Sequence, residues 1–137
     1  MNHLRKLKLT NTALWPHHRG GWNAAVNAIH EHLGAEDGTL FVPAVEEVIV
    51  NDEILAEPWV GFVHQVPRTT LKWYPDLQRL LSHPIWLKSV PQCRGIFTLS
   101  SYVRDYLVAQ QIPVPVARIL YPIDAPADLF EGGHARL

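Results

Sequence analysis

His64 closes the apolar run Pro58-Trp-Val-Gly-Phe-Val-His64 and opens a polar loop at Gln65-Val-Pro67. An imidazole titrates near neutral pH, so a histidine at the end of a buried strand can take a proton from a ligand hydroxyl or hydrogen-bond to it. The same placement suits a strand-end histidine satisfied by backbone groups, and the residue type leaves both readings open. Gln65, next in the loop, belongs to the same candidate site. A second cluster is His17-His18-Arg19-Gly20-Gly21, which leads into a helix. Glycines at a helix entry let backbone N–H groups approach a phosphate or carboxylate where the helix dipole favours negative charge, and Arg19 adds a charged donor. The plainer reading of Gly20 and Gly21 is a tight turn, because a glycine pair is far shorter than a phosphate-binding fingerprint.

Three further positions carry chemistry. Trp73, between Lys72 and Tyr74 in a loop, suits an exposed stacking platform, whereas Trp22, Trp59 and Trp86 lie in apolar patterns and read as core. Asp124, after the last strand, can bind a hydroxyl or cap a turn. Ser100 and Ser101 sit at a strand-to-helix turn, but Leu99-Ser-Ser-Tyr-Val lacks the flanking glycines of a nucleophile elbow, so these serines read as helix caps. His17 and His18 are adjacent and do not converge on a metal as an i, i+4 pair does. A zinc set with His64, serving a metal-dependent hydrolase, is the weakest of the readings. No metal site or cofactor is assigned.

The elements that must position these residues follow from periodicity. Trp22, Val26, Ile29 and Leu33 make one helical stripe, and Gly34 stands where a C-terminal glycine cap belongs. Gly38 to Val42 reads as a buried strand. Ala44 to Ile54 is ambiguous between a short helix and a strand. Pro58 to His64 is a strand, Pro75 to Leu81 a short helix, and His83 to Val90 another with Pro84 in its first turn. Arg94 to Leu99 is a strand, Tyr102 to about Gln110 a helix with Val103, Tyr106 and Leu107 on one face, and Val114 to Tyr121 a last strand. Alternating strands and helices with apolar, unalternating strands predict an α/β fold: a parallel sheet with helices on its faces. Ligands of such sheets bind beyond the carboxyl ends of the strands, where His64, Ser100 and Asp124 all fall.

Bulk properties narrow the classes of partner. The 137 residues suit one domain, and 12 Lys and Arg balance 13 Asp and Glu, which leaves no basic field for nucleic acid or an anionic membrane. The single cysteine, Cys93, excludes an internal disulfide and fits a reducing compartment. The basic stretch at Arg5, Lys6 and Lys8 is followed by too polar a segment for a signal peptide, and no stretch approaches the ~20 apolar residues of a membrane helix. The expected location is cytoplasmic.

Taken in order, Pro58 to His64, His83-Pro-Ile-Trp86, Cys93-Arg-Gly-Ile-Phe-Thr-Leu-Ser-Ser-Tyr102 and Leu120-Tyr-Pro-Ile-Asp124 resemble the N-terminal domain of GT-B-type glycosyltransferases. His18-Arg-Gly-Gly-Trp22 resembles the loop and first helix of that domain. The resemblance implies a Rossmann-like sheet that is a single half of a GT-B architecture, with an N-terminal segment at 1–16, the domain at 17–125 and a tail at 126–137. It implies that Gly20 and Gly21 lie near donor phosphates or the acceptor, and that His64 lies at the interdomain cleft for acceptor binding or catalysis. Ser100 and Tyr102 would line that cleft in structural roles. It further implies a sugar or hydroxylated acceptor and a nucleotide sugar donor, the donor held mainly by a C-terminal domain. Nothing after Asp124 corresponds to that domain. The expected partners are therefore a C-terminal glycosyltransferase domain or a second copy of the chain. The alternative is a non-catalytic protein-binding or self-assembly module of the same fold.

Overall fold

A computed structural model describes residues 6–9, 20–69 and 75–120. Along these residues the elements are β1 (Leu7–Leu9), α1 (Gly20–Leu33), β2 (Thr39–Val42), α2 (Val45–Val50), β3 (Trp59–Phe62), α3 (Leu77–Ser82), α4 (Pro84–Ser89), β4 (Cys93–Thr98), α5 (Ser101–Ala109) and β5 (Val116–Arg118). Every strand pair is parallel, and the sheet runs β1-β2-β3-β4-β5. The α/β class, with a parallel sheet flanked by helices in the Rossmann-like manner, is as the sequence predicts. The strand order simply follows the chain.

Side-chain alternation along the strands splits the core in two. On one face Phe41 and Phe62 pack with Ala25 and Val26 of α1, their rings edge-to-face at 6.1 Å and 83°. On the other, Leu40, Val42, Trp59, Val63 and Ile96 meet the apolar faces of α2, α3, α4 and α5. Trp59 is wholly buried there, edge-on to Trp86 at 6.2 Å, and its indole N–H donates to the Ser89 carbonyl at 2.9 Å. Ser89 also accepts the Leu55 N–H at 3.0 Å, so its hydroxyl is used rather than stranded in the core. Leucines such as Leu77, Leu80 and Leu107, all at 0% exposure, each contribute about 1.5–3 kcal/mol by burial.

Helix ends obey local chemistry. Asp76 caps α3 by accepting from Arg79 N–H at 2.9 Å, and His83 Nδ1 accepts from Ile85 N–H at 3.2 Å ahead of Pro84 in α4. Ser100 Oγ accepts from the N–H groups of Tyr102 at 3.1 Å and Val103 at 3.4 Å, the capping role expected of it. The ambiguous stretch from Ala44 is a helix. It ends after Asn51 in a Schellman turn, with Asp52 at φ 54° and Glu53 N–H donating to the Val48 carbonyl at 3.0 Å. Gly34 closes α1 without a left-handed conformation: a Cβ there would lie 2.4 Å from the His30 carbonyl oxygen, which only glycine avoids.

Three differences from the sequence reading have physical causes. β1 adds an edge strand where no strand is predicted, because Lys6-Leu-Lys-Leu9 has no continuous apolar run; it is only half-buried, and Lys8 reaches Glu57 at 2.6 Å. The last strand is three residues long rather than eight, since only Val116 to Arg118 pair with β4. α1 begins at Gly20, so Gly20 and Gly21 make its first turn instead of preceding it. No helix among the described residues is long and apolar enough to cross a membrane.

Candidate functional site

Among the described residues, the helices change face once. All four crossovers step the same way across the sheet, yet α1 covers one face while α2, α3, α4 and α5 cover the other. The crossover through α1 therefore has the opposite hand to the remaining three, in a class of connection that is right-handed in about 98% of cases. β1 and β2 are neighbours whose onward helices cover opposite faces of the sheet. The N-termini of α1 and α2 both lie at this edge, since each helix follows the carboxyl end of its strand.

His64 leans into this region. Two residues beyond Phe62, its ring stacks on that phenyl at 5.8 Å and 24°, which puts it on the α1 face of the sheet. Its Nε2 lies 2.7 Å from the carbonyl oxygen of Pro43, the residue that follows β2. A carbonyl only accepts, so Nε2 carries the proton and the lone pair of the neutral ring falls on Nδ1. The side chain is exposed, so the imidazole is accessible as well as oriented.

Glu46, in the first turn of α2, supports the same segment from beneath. It is 2% exposed, and its Oε1 accepts from the backbone N–H groups of His64 at 2.6 Å and Gln65 at 2.7 Å. Its Oε2 is buried with no hydrogen-bond partner. Through these two bonds the side chain ties α2 to the end of β3. Gly61 makes the approach feasible: a Cβ there would lie 2.7 Å from Val45 Cγ2 and 3.2 Å from the Val42 carbonyl oxygen.

The structure thus joins His64 and Gln65 at one edge of the sheet and adds Glu46, which sequence reasoning missed. The available signal was a charge on the buried side of a short helix, since Val45, Glu46, Val48 and Ile49 are all buried in α2. Gly20 and Gly21 start α1 at the same edge. Arg19, Trp73 and Asp124 lie outside the described residues, as do His17 and His18. Among the described residues, no group of three or more His, Cys, Asp and Glu is placed to hold a metal ion. A hollow of about 490 Å³ lies elsewhere, by the turn from α5 to β5, and is lined by Leu81, Trp86, Leu87 and Ile112 with the amides of Gln78 and Gln110. It presents no ionisable side chain, whereas a hollow of about 310 Å³ beside β1 is lined by Lys8, His30 and Glu36.

Compared with known proteins, the chain matches no family model, no curated protein and no solved structure.

Proposed function

We propose that this chain is the acceptor-side domain of a GT-B-type glycosyltransferase and binds a sugar or other hydroxylated acceptor at the carboxyl ends of β2 and β3. The observation that carries this reading is the oriented, accessible His64, with Nε2–H held by the Pro43 carbonyl and the ring on Phe62. A C-terminal domain or a separate chain supplies the nucleotide sugar. In the complete enzyme the acceptor oxygen attacks the anomeric carbon as the bond to the nucleotide phosphate breaks, and His64 Nδ1 takes the acceptor proton. The first turn of α1, with its N-terminal partial positive charge, faces the anionic part of the donor.

The test is a thermal-shift screen of the chain against monosaccharides, short glycans, free nucleotides and nucleotide sugars. A ligand that binds only the folded state, at about 100 times its dissociation constant, adds roughly 2.7 kcal/mol of stability. The expected result is a shift with a sugar-bearing compound that His64→Ala abolishes. A flat screen with folded protein, or a shift that His64→Ala leaves intact, rules the reading out. A second reading, self-assembly, draws on the β5 edge, where Ile119 and Leu120 are 37% and 78% exposed. Size-exclusion chromatography of the same sample separates it from the first.

A further inference from the structure

We infer that Glu46 is a positioning residue for His64: by fixing the backbone from which the imidazole projects, it sets the tautomer and aim of the ring. The inference deepens the function proposed above and rests on it for its catalytic meaning.

Glu46 lies on the buried side of α2 beside Val45, Val48 and Ile49, where a leucine would pack without desolvating a polar group. Burying a carboxylate is costly unless hydrogen bonds repay it, and here Oε2 receives none. What the carboxylate supplies, and a hydrocarbon cannot, is an acceptor for two consecutive backbone N–H groups. Two consecutive N–H groups that donate to one oxygen at once restrict the backbone dihedrals that lie between them, those of the first residue. That residue is His64.

The side chain of His64 is held from the same turn. Pro43, whose carbonyl accepts from Nε2–H, stands three residues before Glu46, so the segment joining β2 to α2 grips His64 by both backbone and ring. Gly61 admits the first turn of α2 to this distance. The chain of causes runs from a glycine in β3, through the seating of α2 and the reach of Glu46, to the orientation of an exposed imidazole. Glu46 itself has no surface with which to touch a ligand, so it acts through His64.

The experiment uses ligand-free, isotopically labelled chain and two readouts. Ring nitrogen shifts report the tautomer of His64, and hydrogen exchange reports the amides of His64 and Gln65. The unmodified chain is expected to show the Nε2–H tautomer and protection of both amides. Glu46→Leu keeps the packing but removes the acceptor; it should expose both amides and lower the Nε2–H to Nδ1–H ratio by about tenfold. Glu46→Gln, whose amide oxygen can accept both bonds, should restore the ring signature. A folded Glu46→Leu protein with the original tautomer overturns the inference, because the ring would then keep its orientation without Glu46. If Glu46→Leu fails to fold, Glu46→Gln decides: the original tautomer supports the inference, and an averaged ring in folded protein overturns it. No sugar enters the measurement, so an empty ligand screen defeats the proposed function and leaves this result standing, and the converse also holds.

Discussion

Cys93 opens β4 at 5% exposure, and burial pushes its thiol up from the ordinary 9.0 to about 11, with the hydrogen bond to the Gly95 backbone and then the Arg94 charge offsetting only part of the effect. The sign follows from the two states. In the unfolded chain the thiol ionises near 9, while in the folded chain it stays neutral to about 11. Its contribution to stability is therefore intact below pH 9 and is lost as pH rises from 9 to about 11. The loss is on the order of 2 kcal/mol. Urea midpoints measured across this window should fall in the unmodified chain and fall less in Cys93→Ala. The folded thiol should also resist a thiol reagent near neutral pH and react once the chain is denatured; rapid labelling of folded protein would contradict its burial. Individual residues were unequally legible in the sequence. His64 and Gln65 stood out because an apolar strand ended there, and Ser100 because a strand met a helix. Glu46 did not, because the stretch around it fitted a helix and a strand equally well, and only the helical period puts Glu46 beside buried valines.

Helix endings carry the strain that the sequence hides. Asp52 after α2 and Gln111 after α5 both adopt left-handed backbone, at φ 54° and 53°. Each donates its N–H to a carbonyl of its helix, Asp52 to Ile49 at 3.2 Å and Gln111 to Val108 at 3.0 Å. Glycine takes this conformation without the Cβ penalty of about 1–2 kcal/mol, but loses more backbone freedom on folding. Gln111→Gly should therefore stabilise the fold by about 0.5–1 kcal/mol, a rise of roughly 2–4 °C in melting temperature. Asp52→Gly should yield less, because aspartate tolerates the left-handed region better. Paired melting curves check both; a lower melting temperature for Gln111→Gly would contradict the strain argument. β3, β4 and the helices that follow them are readable because proline, serine or a capping side chain bounds each, whereas β5, exposed at two of its three residues, reads longer than it pairs. β1 is not readable, since a half-buried edge strand of three residues needs no continuous apolar run.

The topology of the whole molecule was the least legible, because periodicity gives elements and not the face each helix covers. Sequence predicts a parallel sheet; it does not predict that α1 alone takes the face of Phe41 and Phe62 while the other four helices take the face of Trp59 and Ile96. His64 stands past the carboxyl end of β3, against the Pro43 carbonyl at the end of β2. The central question is whether the carboxyl ends of β2 and β3 bind ligand. The most direct measurement is a backbone amide spectrum of labelled chain titrated with the sugar-bearing compound that gives the largest thermal shift. The prediction is saturable shifts concentrated at Pro43-flanking residues, Phe62 to Gln65 and the first turns of α1 and α2. Shifts confined to the hollow between α3, α4 and the α5–β5 turn, or none at all in a folded chain, would contradict it.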